Sequence, residues 1–257
     1  MNKQELLEKI TMKKEFSQLP PKDVEIALEK FDKPQFSDEE KMKFTRDLLR
    51  KTFSGFSGKK LFTWKNKSAE EILKKHLSTR ERYNHYREIY SRILKNLPKK
   101  ISILDLGAGV NGLSYDFFKE IEKDVDYIGV EAVGQLVNVV NDYFEKNKIN
   151  GKMIHLSLFE LNEAKEIIKG AKKPRIIFLF KVIDSLEKFE RDYTKKFLNE
   201  IVPLSDRIII SFATESWMKR KKFYANRKWL TDFIGENWQF TDDFEIEGER
   251  YLVFENR

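Results

Sequence analysis

Ile101-Ser-Ile-Leu-Asp-Leu-Gly-Ala-Gly-Val-Asn-Gly-Leu-Ser114 is the stretch whose reading decides the fold. Ile101, Ile103 and Leu104 make a short apolar strand that runs into Asp105. Gly107 and Gly109 then form a turn, and Asn111 and Gly112 open a segment that reads as a helix. Glycines let the backbone approach a ligand closely, and a helix start presents unpaired N–H groups. The edge they build suits a nucleotide-sized ligand.

Downstream, strand and helix patterns alternate. Strands are expected over 101–106, 127–131, 152–156, 175–181 and 207–212, with helices that include 133–147 and 187–201. Two last runs, 238–246 and 250–254, read as a hairpin turned at Glu247-Gly248-Glu249. Such a series gives a mostly parallel sheet covered on both faces, with ligands at the carboxyl ends of its strands. That placement collects Asp105, Gly107, Glu131, Lys181, Ser211 and Phe212. Glu131 ends the strand after the glycine turn, where a carboxylate can accept from both hydroxyls of a ribose; an ordinary surface acid is the other reading. The spacing Gly107-Ala108-Gly109-Val110-Asn111-Gly112 formally matches the dinucleotide pattern Gly-x-Gly-x-x-Gly. Leu104-Asp105-Leu106 and the terminal hairpin favour S-adenosyl-L-methionine instead.

The first hundred residues read as helices. Leu6, Leu7 and Ile10 share a face, as do Val24, Ala27, Leu28 and Phe31. Pro21 suits a first helical position. Ser37 followed by three acids looks like a capped start, and Ser68–Glu71 and Ser78–Glu81 have the capping-box pattern. Beyond Ser78 one helix carries Tyr83, Tyr86, Tyr90, Ile93, Leu94 and Leu97, ended by Pro98. This region is either a module that docks on a larger surface or a cap that completes the core of the second domain.

Composition narrows the function. Hydrophobic residues make up 40% and charged residues 35% of the 257, so a packed core under a charged surface is expected. Absence of cysteine excludes disulfides, thiolate metal sites and cysteine nucleophiles, and the three histidines are scattered. No apolar run approaches the ~20 residues that span a bilayer, so a soluble, cytoplasmic protein is expected. The net charge of +7 favours a polyanionic partner. Its sharpest focus is Lys219-Arg220-Lys221-Lys222, followed by Phe223-Tyr224, a cluster suited to RNA phosphates.

Four blocks carry a resemblance to a known family. They are His76-Leu-Ser78-Thr-Arg-Glu81-Arg82, Leu104-Asp-Leu-Gly-Ala-Gly-Val-Asn-Gly-Leu113, Leu179-Phe-Lys181-Val-Ile-Asp-Ser-Leu-Glu187 and Ile210-Ser-Phe-Ala-Thr-Glu-Ser216. From His76 to Phe254 the chain resembles the aminoglycoside-resistance 16S rRNA (guanine-N7) methyltransferases. The resemblance implies an α/β fold: a class I (Rossmann-like) S-adenosylmethionine-dependent methyltransferase domain over 98–257, behind an all-helical domain over 1–97. It implies that the helical domain docks on the small ribosomal subunit and that a guanine of the decoding region is methylated.

Carried over to this sequence, the resemblance makes Arg82 the partner of the cofactor carboxylate, a task its planar fork suits. Gly107 and Gly109 pass under the methionine portion and Glu131 holds the ribose. His76, Ser78, Asp105, Ala108, Asn111, Ala132, Leu158, Phe159 and Lys181 complete the expected cofactor set. Lys181 and Phe212 face the target base, and Thr214, Ser216, Lys219, Arg220, Lys221 and Lys222 meet RNA. Guanine N7 has a free lone pair, so the chemistry demands proximity and orientation of an extruded base, not a general base. Phe212, Trp217 and Phe223 are candidates to stack on that base, each with core or surface filler as its other reading. The sequence departs from the family at Gly112, where proline is usual, at Glu131 for aspartate and at Ala213 for proline. Met218–Lys222 replaces a glycine-rich basic loop. Ser157-Leu158-Phe159 lacks the expected adenine-edge acid, so packing by Leu158 or Phe159 and backbone is expected to hold the adenine. The expected partner is 16S rRNA in the small subunit, for a monomer that needs no metal or membrane. A methyltransferase of another RNA site, or a non-catalytic RNA- or ribosome-binding protein with the same fold, are the alternatives.

Overall fold

In the computed structural model the described residues are 1–53, 67–216, 221–222 and 227–257, with backbone alone for Leu77, Glu215, Ser216, Lys221 and Lys222. The chain opens with α1 (Lys3–Thr11), α2 (Pro21–Glu29) and α3 (Asp38–Phe53). Their starts are fixed locally: an Asn2–Glu5 capping box, Pro21 in the first turn, and Ser37 and Glu40 bonding each other's backbone N–H. The box predicted at Ser68 and Glu71 starts α4 (Ala69–Lys75). The one predicted at Ser78 does not form, because the Ser78 hydroxyl lies 3.1 Å from His76 Nδ1. The long helix expected beyond it is three pieces: α5 (Leu77–Arg80), a 3₁₀ turn at Tyr83–His85, and α6 (Tyr86–Ile93).

Next come β1 (Lys100–Leu106), a 3₁₀ turn at Asn111–Ser114, α7 (Asp116–Glu120), β2 (Asp124–Glu131), α8 (Gly134–Lys146), β3 (Gly151–His155) and α9 (Leu161–Gly170). They are followed by β4 (Arg175–Phe180), α10 (Ile183–Phe189), α11 (Tyr193–Ile201), β5 (Arg207–Ala213) and the short pair β6 (Glu215–Ser216) and β7 (Lys221–Lys222). α12 (Lys228–Asn237), β8 (Gln239–Ile246) and β9 (Glu249–Glu255) end the chain. The expected helix over 187–201 is divided because Asp192 sits at φ 63° and Glu187 accepts the Asp192 and Thr194 N–H groups, capping a new helix.

The main sheet has the order β3-β2-β1-β4-β5-β9-β8. Its first five strands are parallel, and β9 and β8 add an antiparallel edge. Strand order reverses between β1 and β4, which opens a crevice at their carboxyl ends. The two-residue side-chain period divides the core in two. Ile101, Ile103, Ile176, Phe178, Ile209, Tyr251 and Val253 face one cluster; Leu104, Leu106, Ile177, Leu179, Ile208, Ile210 and Phe212 face the other. Leu6, Ile10, Val24, Ala27, Leu28 and Leu49 of the first helices belong to the first cluster, so the helical segment and the sheet share a core. No helix among the described residues is long and apolar enough to cross a membrane.

Candidate functional site

A pocket open to solvent lies at the reversal in strand order. Its floor is the glycine turn. Gly107 and Gly109 have φ of 77° and 55°, a region that side chains other than glycine rarely occupy. A Cβ on Gly107 would come within 2.5 Å of Val182 Cγ2. The Gly107 and Ala108 N–H groups both donate to Val130 O, pinning the turn to β2. Gly112 serves packing: a Cβ there would meet Val140 and Phe144 of α8 at 2.7 and 2.8 Å.

One wall is polar. Glu131 accepts from Gly109 N–H and Val133 N–H, each at 2.8 Å, which locks its carboxylate beside the turn. Burial pushes its pKa up and those two N–H groups pull it down, with a net rise. Most of the remaining lining is apolar, from Leu158, Phe159, Phe180, Val182, Leu186 and Phe189. Phe159 packs on Tyr193 at 4.6 Å, and Tyr193 donates to Leu158 O at 2.7 Å, so the wall is braced by α11. Of the residues predicted to hold a cofactor, Ser78, Gly107, Gly109, Glu131, Ala132, Leu158, Phe159 and Lys181 line this pocket.

A buried polar network underlies the pocket and joins all four sequence blocks. Asn111 spends its whole amide there: Oδ1 accepts from Arg82 at 2.9 Å and Tyr86 at 2.7 Å, and Nδ2 donates to Asp105 at 2.7 Å and Tyr90 at 3.3 Å. Tyr127 also donates to Asp105 Oδ2, at 2.6 Å, while Asp105 Oδ1 has no hydrogen-bond partner among the described residues. The Arg82 guanidinium, 2% exposed, pairs with Glu249 at 3.2 Å and lies over the Phe180 ring at 4.9 Å. Burial alone would depress the guanidinium pKa, but Glu249 and the surrounding tyrosines override it and hold the group charged. Glu249 also receives Ser211 Oγ–H and the Lys181 ammonium, the latter at 3.1 Å. Lys181, at φ 58°, pairs in addition with Glu81. His76 is buried against Ser78, and burial, reinforced by Arg82, drives its pKa down to about 3, so its ring is neutral.

The structure places several predicted residues away from the pocket wall. Arg82, Asp105 and Asn111 are beneath it, held in the network. Phe212 is on the far face of the sheet, its ring under the Arg227 guanidinium at 4.7 Å, which corrects the expectation that it faces a base. Alternation is the reason: Ser211 points toward Glu249, so its neighbour points the other way. Thr214 donates to Glu245 at 2.8 Å in the loop after β5. Of the expected RNA contacts and stacking groups, Trp217, Lys219, Arg220 and Phe223 lie outside the described residues, and Ser216, Lys221 and Lys222 are described as backbone.

Sequence reasoning missed Glu249, read as part of a hairpin turn, and the contribution of the first helices. Asp23 from α2, with Thr52 and Phe53 from α3, also lines the pocket. An acid on an otherwise apolar helix face was the available signal for Asp23; for Glu249 the sequence held none.

Comparison with known proteins is consistent with this architecture. A family model described as ribosomal RNA methyltransferase (FmrO) matches residues 58–233. A curated relative from Proteus mirabilis, a 16S rRNA (guanine(1405)-N(7))-methyltransferase, is 27% identical over 173 residues, 57% of this chain; the match spans 62% of that relative's length. Among solved structures, a 16S rRNA methyltransferase RmtF in complex with S-adenosyl-L-homocysteine superposes with a TM-score of 0.77 at 17% identity, covering both chains fully. An rRNA methylase from Escherichia coli superposes with a TM-score of 0.76, also at 17% identity over both whole chains.

Proposed function

The chain belongs to the ribosomal RNA methyltransferase (FmrO) family, and from that premise we propose that it is an S-adenosyl-L-methionine-dependent enzyme that methylates N7 of a guanosine in 16S rRNA. The observation that carries the reading is the closure of four sequence blocks into one network beneath a glycine-floored pocket. The pocket's own chemistry fits this cofactor. Asp105 Oδ1 is a buried acceptor with no hydrogen-bond partner among the described residues, suited to an ammonium group. The left-handed turn at Gly107 and Gly109 admits the methionine portion, Glu131 the ribose, and the wall of Leu158, Phe159 and Leu186 a flat base.

When bound, the cofactor supplies an electrophilic methyl group on a sulfonium. The protein's part is to bind, to orient and to exclude water. Asp105 and Glu131 would hold cationic and hydroxyl groups, and Arg82, paired here with Glu249, would hold the cofactor carboxylate. Lys181, half-buried at the end of β4, donates to the carbonyl edge of the target guanine, with Glu81 and Glu249 balancing its charge. The nucleophile needs no deprotonation, since guanine N7 presents a free lone pair, so neutral His76 would serve structure and not proton transfer.

In this reading residues 1–97 dock on the small subunit as well as walling the pocket, and Thr214, Ser216 and Lys219–Lys222 approach the RNA. The enzyme works in the cytoplasm as a monomer without a metal. Incubation with methyl-labelled cofactor and intact small subunits, naked 16S rRNA or tRNA tests the proposal. Label in the 16S rRNA is expected. Absence of label from every RNA would overturn the enzymatic reading, and label confined to tRNA would overturn the assignment to rRNA.

A further inference from the structure

Asp23 is a carboxylate without an evident purpose in the fold. It lies on α2, is 3% exposed, and lines the same pocket as the glycine turn. Its Oδ2 is buried with no hydrogen-bond partner among the described residues. Leaving a buried acceptor unpaired carries its full desolvation penalty, so an acid persists at such a place when something else pairs with it. Its surroundings are specific. The Ser157 hydroxyl faces it from the loop after β3, and the loop's next two residues, Leu158 and Phe159, form the apolar wall. Glu131, the other carboxylate lining the pocket, already accepts two backbone N–H groups.

Resting on the cofactor reading above, we propose that Asp23 is the residue that recognises the adenine edge of the cofactor, accepting a hydrogen bond from its exocyclic amine. A flat base seated against Leu158 and Phe159 meets an apolar surface on its face and needs a polar partner at its rim. The segment Ser157-Leu158-Phe159 supplies no carboxylate for that rim, and α2 supplies one beside Ser157. The chemistry extends further. Burial, with Glu131 and Glu160 as like-charged neighbours and Ser157 opposing them, pushes the Asp23 carboxyl up to about 7. Near neutral pH a protonated fraction therefore exists, and a carboxylic acid matches both the donor amine and the acceptor ring nitrogen on the same edge of adenine. The first helices then belong to the cofactor site itself, besides any role on the ribosome.

The test is calorimetric binding of S-adenosyl-L-homocysteine and of its 6-deamino analogue, in which hydrogen replaces the exocyclic amine and no new donor appears on the ring. The full-length chain is compared with Asp23→Leu, Asp23→Ala and Asp23→Asn. The unmodified chain is expected to prefer the amino compound by about tenfold or more, the weight of one buried hydrogen bond. Asp23→Leu and Asp23→Ala are expected to lose that preference to within about twofold. Asp23→Asn, which keeps an acceptor and offers a donor, is expected to retain it. A purely structural role would change both affinities together and leave their ratio alone. An unaltered preference in Asp23→Leu or Asp23→Ala, or loss of it in Asp23→Asn, overturns the inference while the cofactor reading stands. Failure of the unmodified chain to bind S-adenosyl-L-homocysteine overturns both.

Discussion

Replacing Asp23 by asparagine should make the protein's stability less dependent on pH, and the size of the effect follows from the burial of the carboxyl. In the folded chain its pKa is raised from 3.8 to about 7, mainly by desolvation, with Ser157 opposing and Glu131 and Glu160 reinforcing. Below pH 4 the carboxyl is protonated in both folded and unfolded chains and contributes no pH dependence. Between about pH 4 and pH 7 the unfolded chain has lost the proton while the folded chain keeps it, so stability falls as pH rises. Above pH 7 both forms are ionised and the loss is complete. At about 1.4 kcal/mol for each pH unit, the loss amounts to about 4 kcal/mol across the window. Asparagine has the same shape and does not titrate. Urea unfolding of both proteins at intervals from pH 4 to pH 8 measures the difference, and subtraction removes most of the contribution of other groups. The advantage of Asp23→Asn should grow by about 4 kcal/mol between those limits. A difference that stays flat within about 1 kcal/mol would refute the argument, because it would mean that Asp23 is hydrated and ionises normally.

Other expectations concern the network, the turn and the basic cluster. Glu249→Ala should cost about 3–5 kcal/mol in denaturant unfolding, since it leaves the buried Arg82 charge without its carboxylate partner; Arg82→Ala should cost less, because Glu249 keeps Lys181, and the double variant should cost well under the sum of the two. Gly107→Ala places a Cβ against Val182 on a left-handed backbone, a strain of about 1–3 kcal/mol. It should therefore weaken S-adenosyl-L-homocysteine binding in calorimetry by about tenfold or more. Replacing Lys219, Arg220, Lys221 and Lys222 by alanine should reduce the salt dependence of rRNA binding, by about 0.7–0.9 in log–log slope for each phosphate that the protein no longer neutralises. Filter-binding titrations across salt concentrations read that slope.

The sheet was legible because its strands are near-continuous apolar runs bounded by polar residues. Their observed limits lie within a few residues of the expected ones, as at β1 and β5. The glycine turn was legible for a related reason: the φ of Gly107 and Gly109 is what that residue type permits. Three features were hidden. The break at Asp192 depends on Glu187 folding back to cap a helix, an interaction that apolar periodicity does not encode. The burial of Phe212 depends on strand phase at the last residues of β5, where one step exchanges a pocket for a core. Asp23 and Glu249 reach the site from opposite ends of the chain, and no local spacing ties either one to Asp105. Long-range closure of this kind is a property of the packed core that the helices and sheet share.

Mapping the modified nucleotide tests the central claim most directly. After incubation of intact small subunits with the protein and S-adenosyl-L-methionine, reduction and aniline treatment cleave RNA at 7-methylguanosine, and primer extension locates the break. A single new cleavage in 16S rRNA, at a guanosine of the decoding region and absent without cofactor, is the predicted result. Label in the rRNA with no cleavage, or methylation on another base or atom, would contradict it.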